Sequence, residues 1–325
     1  MARVVVYGVG AIGGVVAAAL STSGSDVAGI ARGAQLQAIR DGGLRLLSPD
    51  TDTTAHFACV GAPSEIDWRE DDLILLCMKS QDTLGALEQL RAAGVENQHI
   101  FCLQNGVTNE RFALRRFPNV HGATVMLPGT FLKPGEVVSH SSPRYGMLDI
   151  GQFPRSHNAA DETLAKAMEA ANIAVFVQED VMASKYGKLL MNLGNITQAA
   201  LGSGVGQGEL PALLRAEGEA VLDAAGIAWS DVGKDDPRRK KFMQIKDVDG
   251  VPRAGGSTAQ SLLRGAASLE TEYLNGEIVL LGRLHGVPTP VNAAMLRVAT
   301  RLVREAAKPG QTTLADLMAE ITPAS

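Results

Sequence analysis

Residues 3–7, RVVVY, are apolar and β-branched without alternation, the pattern of a strand buried on both faces of a parallel sheet. A glycine turn, GVGAIGG, follows, and AIGGVVAAALSTSG predicts a helix of small residues ending near Gly24. The runs VAGIA, DLILLCM (72–78) and HIFCLQNG (99–106) repeat the strand signal, with QLQAIRDGG and QDTLGALEQLRAA reading as helices among them. This alternation predicts an α/β fold built on a doubly wound parallel sheet. From 119 to 151 the pieces PGTFLKPGEVV and GMLDIG predict short strands added antiparallel at the sheet edge, and DETLAKAMEAANIAVFVQED predicts one helix and a last strand. Beyond Asp180 the texture changes. VMASKYGKLLMNLGNITQAALG, ELPALLRAEGEAVLDAAG, TAQSLLRGAASLETEYLNGEIVLLGRLHG and PVNAAMLRVATRLVREAA all read as helices, so a boundary is expected near residue 178, with residues 1–178 α/β and 179–325 all-α.

Composition narrows the function classes. The chain has 325 residues, 46% of them hydrophobic, which suits about two packed domains and excludes wholesale disorder. A net charge of −5 argues against a dedicated nucleic-acid binder. Cys59, Cys77 and Cys102 are odd in number, widely spaced and set in apolar runs, so they are expected as buried strand residues, and no metal site is expected. The apolar stretch 4–20 mimics a signal-peptide core, but glycines at 8, 10 and 13 suit a strand feeding a turn, and a cytoplasmic protein without a membrane span is expected. The polar segment 231–256, with RRKK at 238–241, reads as a solvated interhelical loop, with a basic partner-binding patch as the sharper alternative.

The glycine turn carries the first chemistry. It follows a buried strand and opens a helix, the context in which GxGxxG binds a dinucleotide. Gly8 allows the tight turn, Gly10 lets the backbone (Val9, Ala11 and Ile12 included) approach a pyrophosphate, and Gly13 lets helix and strand pack closely. The helix N-terminus favours an anion. After the second strand stands Arg32 rather than an acid. A carboxylate there would hold a ribose hydroxyl, whereas a guanidinium pairs with a 2′-phosphate, so NADP (NADPH) is the expected cofactor, with Lys79 as a second positive charge.

On the helix beginning near 181, Lys185, Lys188, Asn192 and Asn195 fall at spacings of three and four, which predicts a polar stripe on one face. Asparagine is a poor helix former, so two on that face need a reason. Glu270 in LETEYLNG is a further candidate, taken singly a surface carboxylate.

Together these strings resemble the ketopantoate reductase (2-dehydropantoate 2-reductase) family from Val4 to about Arg301. The resemblance rests on VYGVGAIGG, the arginine after the second strand, CMKSQDT, LQNGV, PGEVVSHSS with LDIG, YGKLLMN, and ETEYLNGEIVLLGRLHGVPTPVN. It implies an N-terminal Rossmann-type NADP-binding domain, a helical C-terminal substrate domain, and NADPH-dependent reduction of a small 2-keto acid, with ketopantoate to pantoate foremost. It also implies that Lys188 is the catalytic lysine and Lys185 is not. By the same resemblance Asn105 contacts nicotinamide and substrate, Glu270 lies near both, and Asn192, Asn195 and Thr258 bind substrate. Three positions depart from the family pattern: Ile196 stands where the second asparagine is usual, with Asn195 one place earlier, and Thr258 and Leu262 replace a serine and an aspartate. The substrate is therefore less defined than the reaction class. Alternatives are a related keto-acid or opine-type dehydrogenase and a non-catalytic NADP-binding sensor. No nucleic-acid or membrane partner is expected, and a homodimer is left open.

Overall fold

In the computed structural model, residues 2–251 and 255–321 are described. The chain forms two compact units. The first holds the chain up to Lys185 together with a segment that returns at Lys234; the second begins at Tyr186, runs to Gly233 and resumes after that segment. The expected single boundary near 178 thus lies slightly early, and the chain passes between units more than once.

The first unit is built on an eight-stranded sheet. Val4–Tyr7 lies between Val27–Ile30 and Leu73–Leu76, all parallel, and His99–Cys102 and Val120–Met126 extend the parallel run beyond Leu73–Leu76. Met147–Gln152 then pairs antiparallel with Val120–Met126 and parallel with the edge strand Ala174–Val177. The strand period of two divides the core into its two faces. Val4, Val6, Leu75 and Phe101 pack against the helices Ala11–Thr22 and Ala159–Ala170. Val5, Tyr7, Ile74 and Ile100 pack on the opposite face with Leu87 and Leu90 of Thr83–Ala92 and with Ala113 and Phe117.

One sequence expectation is corrected here. Only the GMLDIG piece joins the large sheet antiparallel. Glu136–Ser139 of PGEVV and Gly129–Thr130 instead form a second sheet with Leu44–Leu47 and Asp52–Ala55, in a stretch that reads as merely polar. This sheet packs Leu44, Leu46 and Val137 onto the helix Ala11–Thr22. The small residues of that helix now have a cause: a Cβ on Gly14 would stand 2.6 Å from Val137 Cγ1.

The RRKK segment is likewise not a plain solvated loop. Pro237–Phe242 is helical, and Met243–Ile245 pairs with Ser141–Pro143. Arg238 reaches Asp149 at 2.6 Å and Asp236 at 2.7 Å, and its guanidinium lies 4.7 Å from the centroid of Phe176. Arg238 is thereby built into the first unit. Residues 252–254 of the segment lie outside the described residues.

The second unit is helical. Leu210–Ala224, Asn275–His285 and Pro290–Arg304 pack together around Leu214, Val221, Ile278, Met295 and Val298, all fully buried. Ser257–Leu263 packs against Asn195–Leu201. The long stretch 258–286 is not one helix: a 3-10 turn, Glu270–Tyr273, separates Ser257–Leu263 from Asn275–His285. Cys59 and Cys102 are buried strand residues, whereas Cys77 lies half-buried just past its strand. Among the described residues no helix is long and apolar enough to cross a membrane.

Candidate functional site

The C-terminal ends of four adjacent parallel strands gather the expected cofactor residues of the first unit along one sheet edge. Tyr7 leads into Gly8–Gly13, Ile30 into Arg32, Leu76 into Lys79 and Cys102 into Asn105. Ligands of open parallel sheets bind at such an edge, where the strand order reverses on either side of the first strand.

The glycine turn is held by its neighbours. Gly8 sits at φ +101°, donates from its N–H to Ile30 O at 3.0 Å, and would place a Cβ 2.8 Å from the main-chain N of Met78. Only glycine meets both demands. Gly13 would place a Cβ 2.2 Å from Gly8 O. Val9 O accepts from Gln35 Nε2 at 3.0 Å, which fixes the turn from the side. By contrast, a Cβ on Gly10 would meet nothing within 4 Å. Among the described residues no side chain caps the helix Ala11–Thr22, and its first turn has no acid. Ala11 and Ile12 are half-buried there. These features fit a phosphate group against the turn.

Arg32 is the N-terminal cap residue of Gly33–Gly42; its side chain is 78% exposed, and it lies 4.0 Å from Asp82. A guanidinium so placed has most of its donors facing solvent. Lys79 precedes the 3-10 turn Ser80–Asp82 and is half-buried.

Asn105 is gripped by its backbone. Its carbonyl accepts from Asn109 Nδ2 at 3.1 Å, while Gln104 O accepts from Lys185 Nζ at 2.9 Å. Gln104 Nε2 in turn donates to Met78 O at 3.0 Å and to Thr83 Oγ1 at 2.7 Å. The side-chain amide of Asn105 is half-exposed, and among the described residues no group hydrogen-bonds it.

The expected stripe on the lysine helix is corrected by the structure. The helix spans Val181–Asn192 and ends there, and a separate helix, Asn195–Leu201, starts after Gly194. Asn195 therefore does not continue the face of Lys188 and Asn192. Lys185 is not exposed: it is buried, with Nζ 2.7 Å from Oε1 of the fully buried Glu110. Lys188 and Asn192 do stand one helical turn apart. Lys188 is half-buried, and Asn192 is only 7% exposed, yet among the described residues nothing hydrogen-bonds its amide. Such an amide could hold a ligand's oxygen.

Sequence reasoning missed what holds this segment. Gly187 lets the helix approach the backbone, because a Cβ there would lie 1.7 Å from Ser230 O. Just past Asn192, Leu193 O accepts from the fully buried Asn275 Nδ2 at 3.1 Å. Asn275 also donates to Asn292 Oδ1 at 3.0 Å, and Asn292 Nδ2 donates to Glu217 Oε2 at 2.8 Å. The signal was present in ETEYLNG and PTPVN, but nothing in either string names its partner.

Thr258 and Leu262, one turn apart on Ser257–Leu263, are 3% and 7% exposed, and among the described residues no group hydrogen-bonds the Thr258 hydroxyl. Glu270 opens its 3-10 turn and is 7% exposed, not a surface carboxylate.

Comparison with known proteins gives a consistent picture. Residues 4–155 match the family model "Ketopantoate reductase PanE/ApbA", and residues 180–303 match the C-terminal model of the same family. A 2-dehydropantoate 2-reductase of Halobacterium salinarum is 28% identical, covering 95% of this chain and 100% of its own. A crystal structure of a PanE/ApbA family ketopantoate reductase from Ralstonia eutropha JMP134 is 32% identical, with a TM-score of 0.74 and coverage of 94% of this chain and 98% of its own. A D-mandelate dehydrogenase with NADH and anilino(oxo)acetate shares the fold at 22% identity, with a TM-score of 0.77 and coverage of 94% and 99%.

Proposed function

As the chain belongs to the ketopantoate reductase family, oxidoreductases acting on CH–OH groups, we propose that it uses NADPH to reduce a 2-keto acid, with 2-dehydropantoate as the first substrate to test. The observation that carries this reading is the Lys188–Asn192 pair. It combines an ammonium with a nine-tenths buried amide one turn away that no group among the described residues hydrogen-bonds, two groups that suit a keto acid's oxygens.

In this reading the glycine turn and the helix beginning at Ala11 hold the cofactor's pyrophosphate, and Arg32 with Lys79 faces the 2′-phosphate. When bound, the reduced nicotinamide supplies a hydride to the ketone carbon. Negative charge then grows on the substrate oxygen, where the Lys188 ammonium stabilises it and donates a proton. Asn192 holds the substrate without changing charge, and Asn105 orients its reacting end. Glu270 fixes a substrate hydroxyl, while Thr258 and Asn195 line the substrate side.

A second reading keeps the chemistry and changes the substrate. Buried Leu262 offers no hydrogen bond where the family has an aspartate, which favours keto acids without a hydroxyl at that point. Both readings are tested by NADPH oxidation across a panel of 2-keto acids. Turnover of ketopantoate far above the others supports the first, comparable turnover of unhydroxylated keto acids supports the second, and no turnover of any sinks both.

A further inference from the structure

The buried pair of Lys185 and Glu110 takes no part in the chemistry above, and its cost calls for an explanation. Desolvating two charges often cancels their attraction, so apolar residues of the same volume would hold the fold as well. What an apolar pair cannot do is grip main-chain carbonyls. Lys185 Nζ donates to two carbonyls, Gln104 O at 2.9 Å and Ala123 O at 3.1 Å, and stands 2.7 Å from Glu110 Oε1 as an ion pair. Gln104 O belongs to the peptide that carries the Asn105 N–H. The next carbonyl, that of Asn105 itself, is held by Asn109, the residue directly before Glu110. Both peptide planes flanking Asn105 are thus fixed from one cluster, while Gly106 at φ +80° turns the chain away. Space for the cluster comes from Gly122, where a Cβ would stand 3.3 Å from Lys185 Cδ and 3.5 Å from Glu110 Oε1.

We infer that Lys185, charge-balanced by Glu110, is a positioning residue that pins the Gln104–Asn105 peptide and so aims the side-chain amide of Asn105. The inference rests on the proposed role of Asn105 at the reacting end of the substrate. Such preorganisation spares the amide from reorienting as charge develops, and it acts on kcat rather than on cofactor affinity.

The test is the double variant Lys185→Met/Glu110→Leu, which removes both charges at similar volume, studied alone and in an Asn105→Ala background. In the protein without cofactor, amide hydrogen exchange over residues 104–107 should rise about tenfold or more while Tm stays near the parent value. With NADPH and the best keto acid, kcat should fall roughly 10- to 100-fold, and NADPH Kd should change by less than about threefold. In the Asn105→Ala background the double variant should lower kcat no further. Unchanged exchange, an unchanged kcat, or additive losses would each overturn the inference. An Asn105→Ala protein with full kcat would instead remove the reading of Asn105 and the inference with it, leaving the exchange result as a purely structural fact. Should the apolar pair fail to fold, Lys185→Met/Glu110→Gln keeps the carboxamide shape, removes the lysine's grip and carries the same cycle.

Discussion

The Asn275 side chain donates to Leu193 O at 3.1 Å, and this bond holds the chain where the lysine helix stops, one residue after Asn192. Asn275 also lies five residues after Glu270, so one buried amide braces two candidate site segments of the second unit. Asn275→Leu leaves Leu193 O and Asn292 Oδ1 without this donor in a buried setting. A loss of about 1–3 kcal/mol per orphaned group is expected, read as a clear fall in Tm. An unchanged Tm would mean that the break is held by other contacts.

Gly10 and Gly13 should separate cofactor binding from folding. Gly10→Ala points its methyl into open space, so Tm should hold while NADPH affinity falls roughly tenfold or more as the methyl meets the pyrophosphate. Gly13→Ala drives a Cβ to 2.2 Å from Gly8 O, so the turn itself must move, at about 1–3 kcal/mol or above. Thermal melts and NADPH titrations of both variants check the contrast, and identical behaviour would refute it.

Arg32 should set the choice of cofactor. With its side chain 78% exposed and Asp82 4.0 Å away, Arg32→Ala costs the fold little. It should erase most of the preference for NADPH over NADH, a loss of about 1.5–3 kcal/mol, or roughly 10- to 150-fold in kcat/KM. Equal kcat/KM for the two cofactors in the parent protein would remove the assignment.

Lys188→Ala should lower kcat by roughly 10²- to 10⁴-fold and leave NADPH Kd nearly unchanged. Lys185→Ala acts differently: it strands the buried Glu110 carboxylate, so about 3–5 kcal/mol of stability is expected to go with it. Single-turnover kinetics and melting curves tell the two apart. Near-normal kcat in Lys188→Ala would end its role as proton donor.

The first unit should also be acid-sensitive through His99. Its ring is held below the ordinary histidine value of 6.5 by burial and by neighbouring His121, with Asp161 opposing. His99 Nδ1 lies 2.9 Å from His121 Nε2, and His121 Nδ1 lies 2.8 Å from Asp161. The folded state thus binds a proton less readily than the unfolded chain. Stability present above about pH 6.5 is lost as pH falls below it. Tm measured from about pH 7 to pH 5 should fall, and His99→Asn should flatten that slope. A parallel slope in the variant would assign the acid loss elsewhere.

Local pattern was enough for the scaffold of the first unit. Unbroken apolar runs require strands covered on both faces, and the glycine turn after RVVVY requires a helix N-terminus beside a strand end. The place of Gly8, Gly10, Gly13 and Arg32 just past strand ends was legible because strand-turn-helix geometry is set within a few residues. The second sheet was not legible: Leu44–Leu47 and Glu136–Ser139 are distant in sequence, and their alternation is too short to stand out from a polar stretch.

The lysine helix marks the limit most sharply. Spacing put Lys185, Lys188, Asn192 and Asn195 on one face, because spacing treats a helix as endless and its surroundings as uniform. Tertiary structure ended the helix at Asn192, buried Lys185 against Glu110 and, among the described residues, left the Asn192 amide without a hydrogen bond. Each outcome depends on a group remote in the chain: Asn275 for the helix end, and Gln104, Glu110 and Ala123 for Lys185. The sequence by itself determined which residue types were available and where the central strands and the first helix begin. Only the packed chain decided which charges are buried and which amides stay free, because hydrogen bonds and desolvation depend on neighbours that long-range contacts supply.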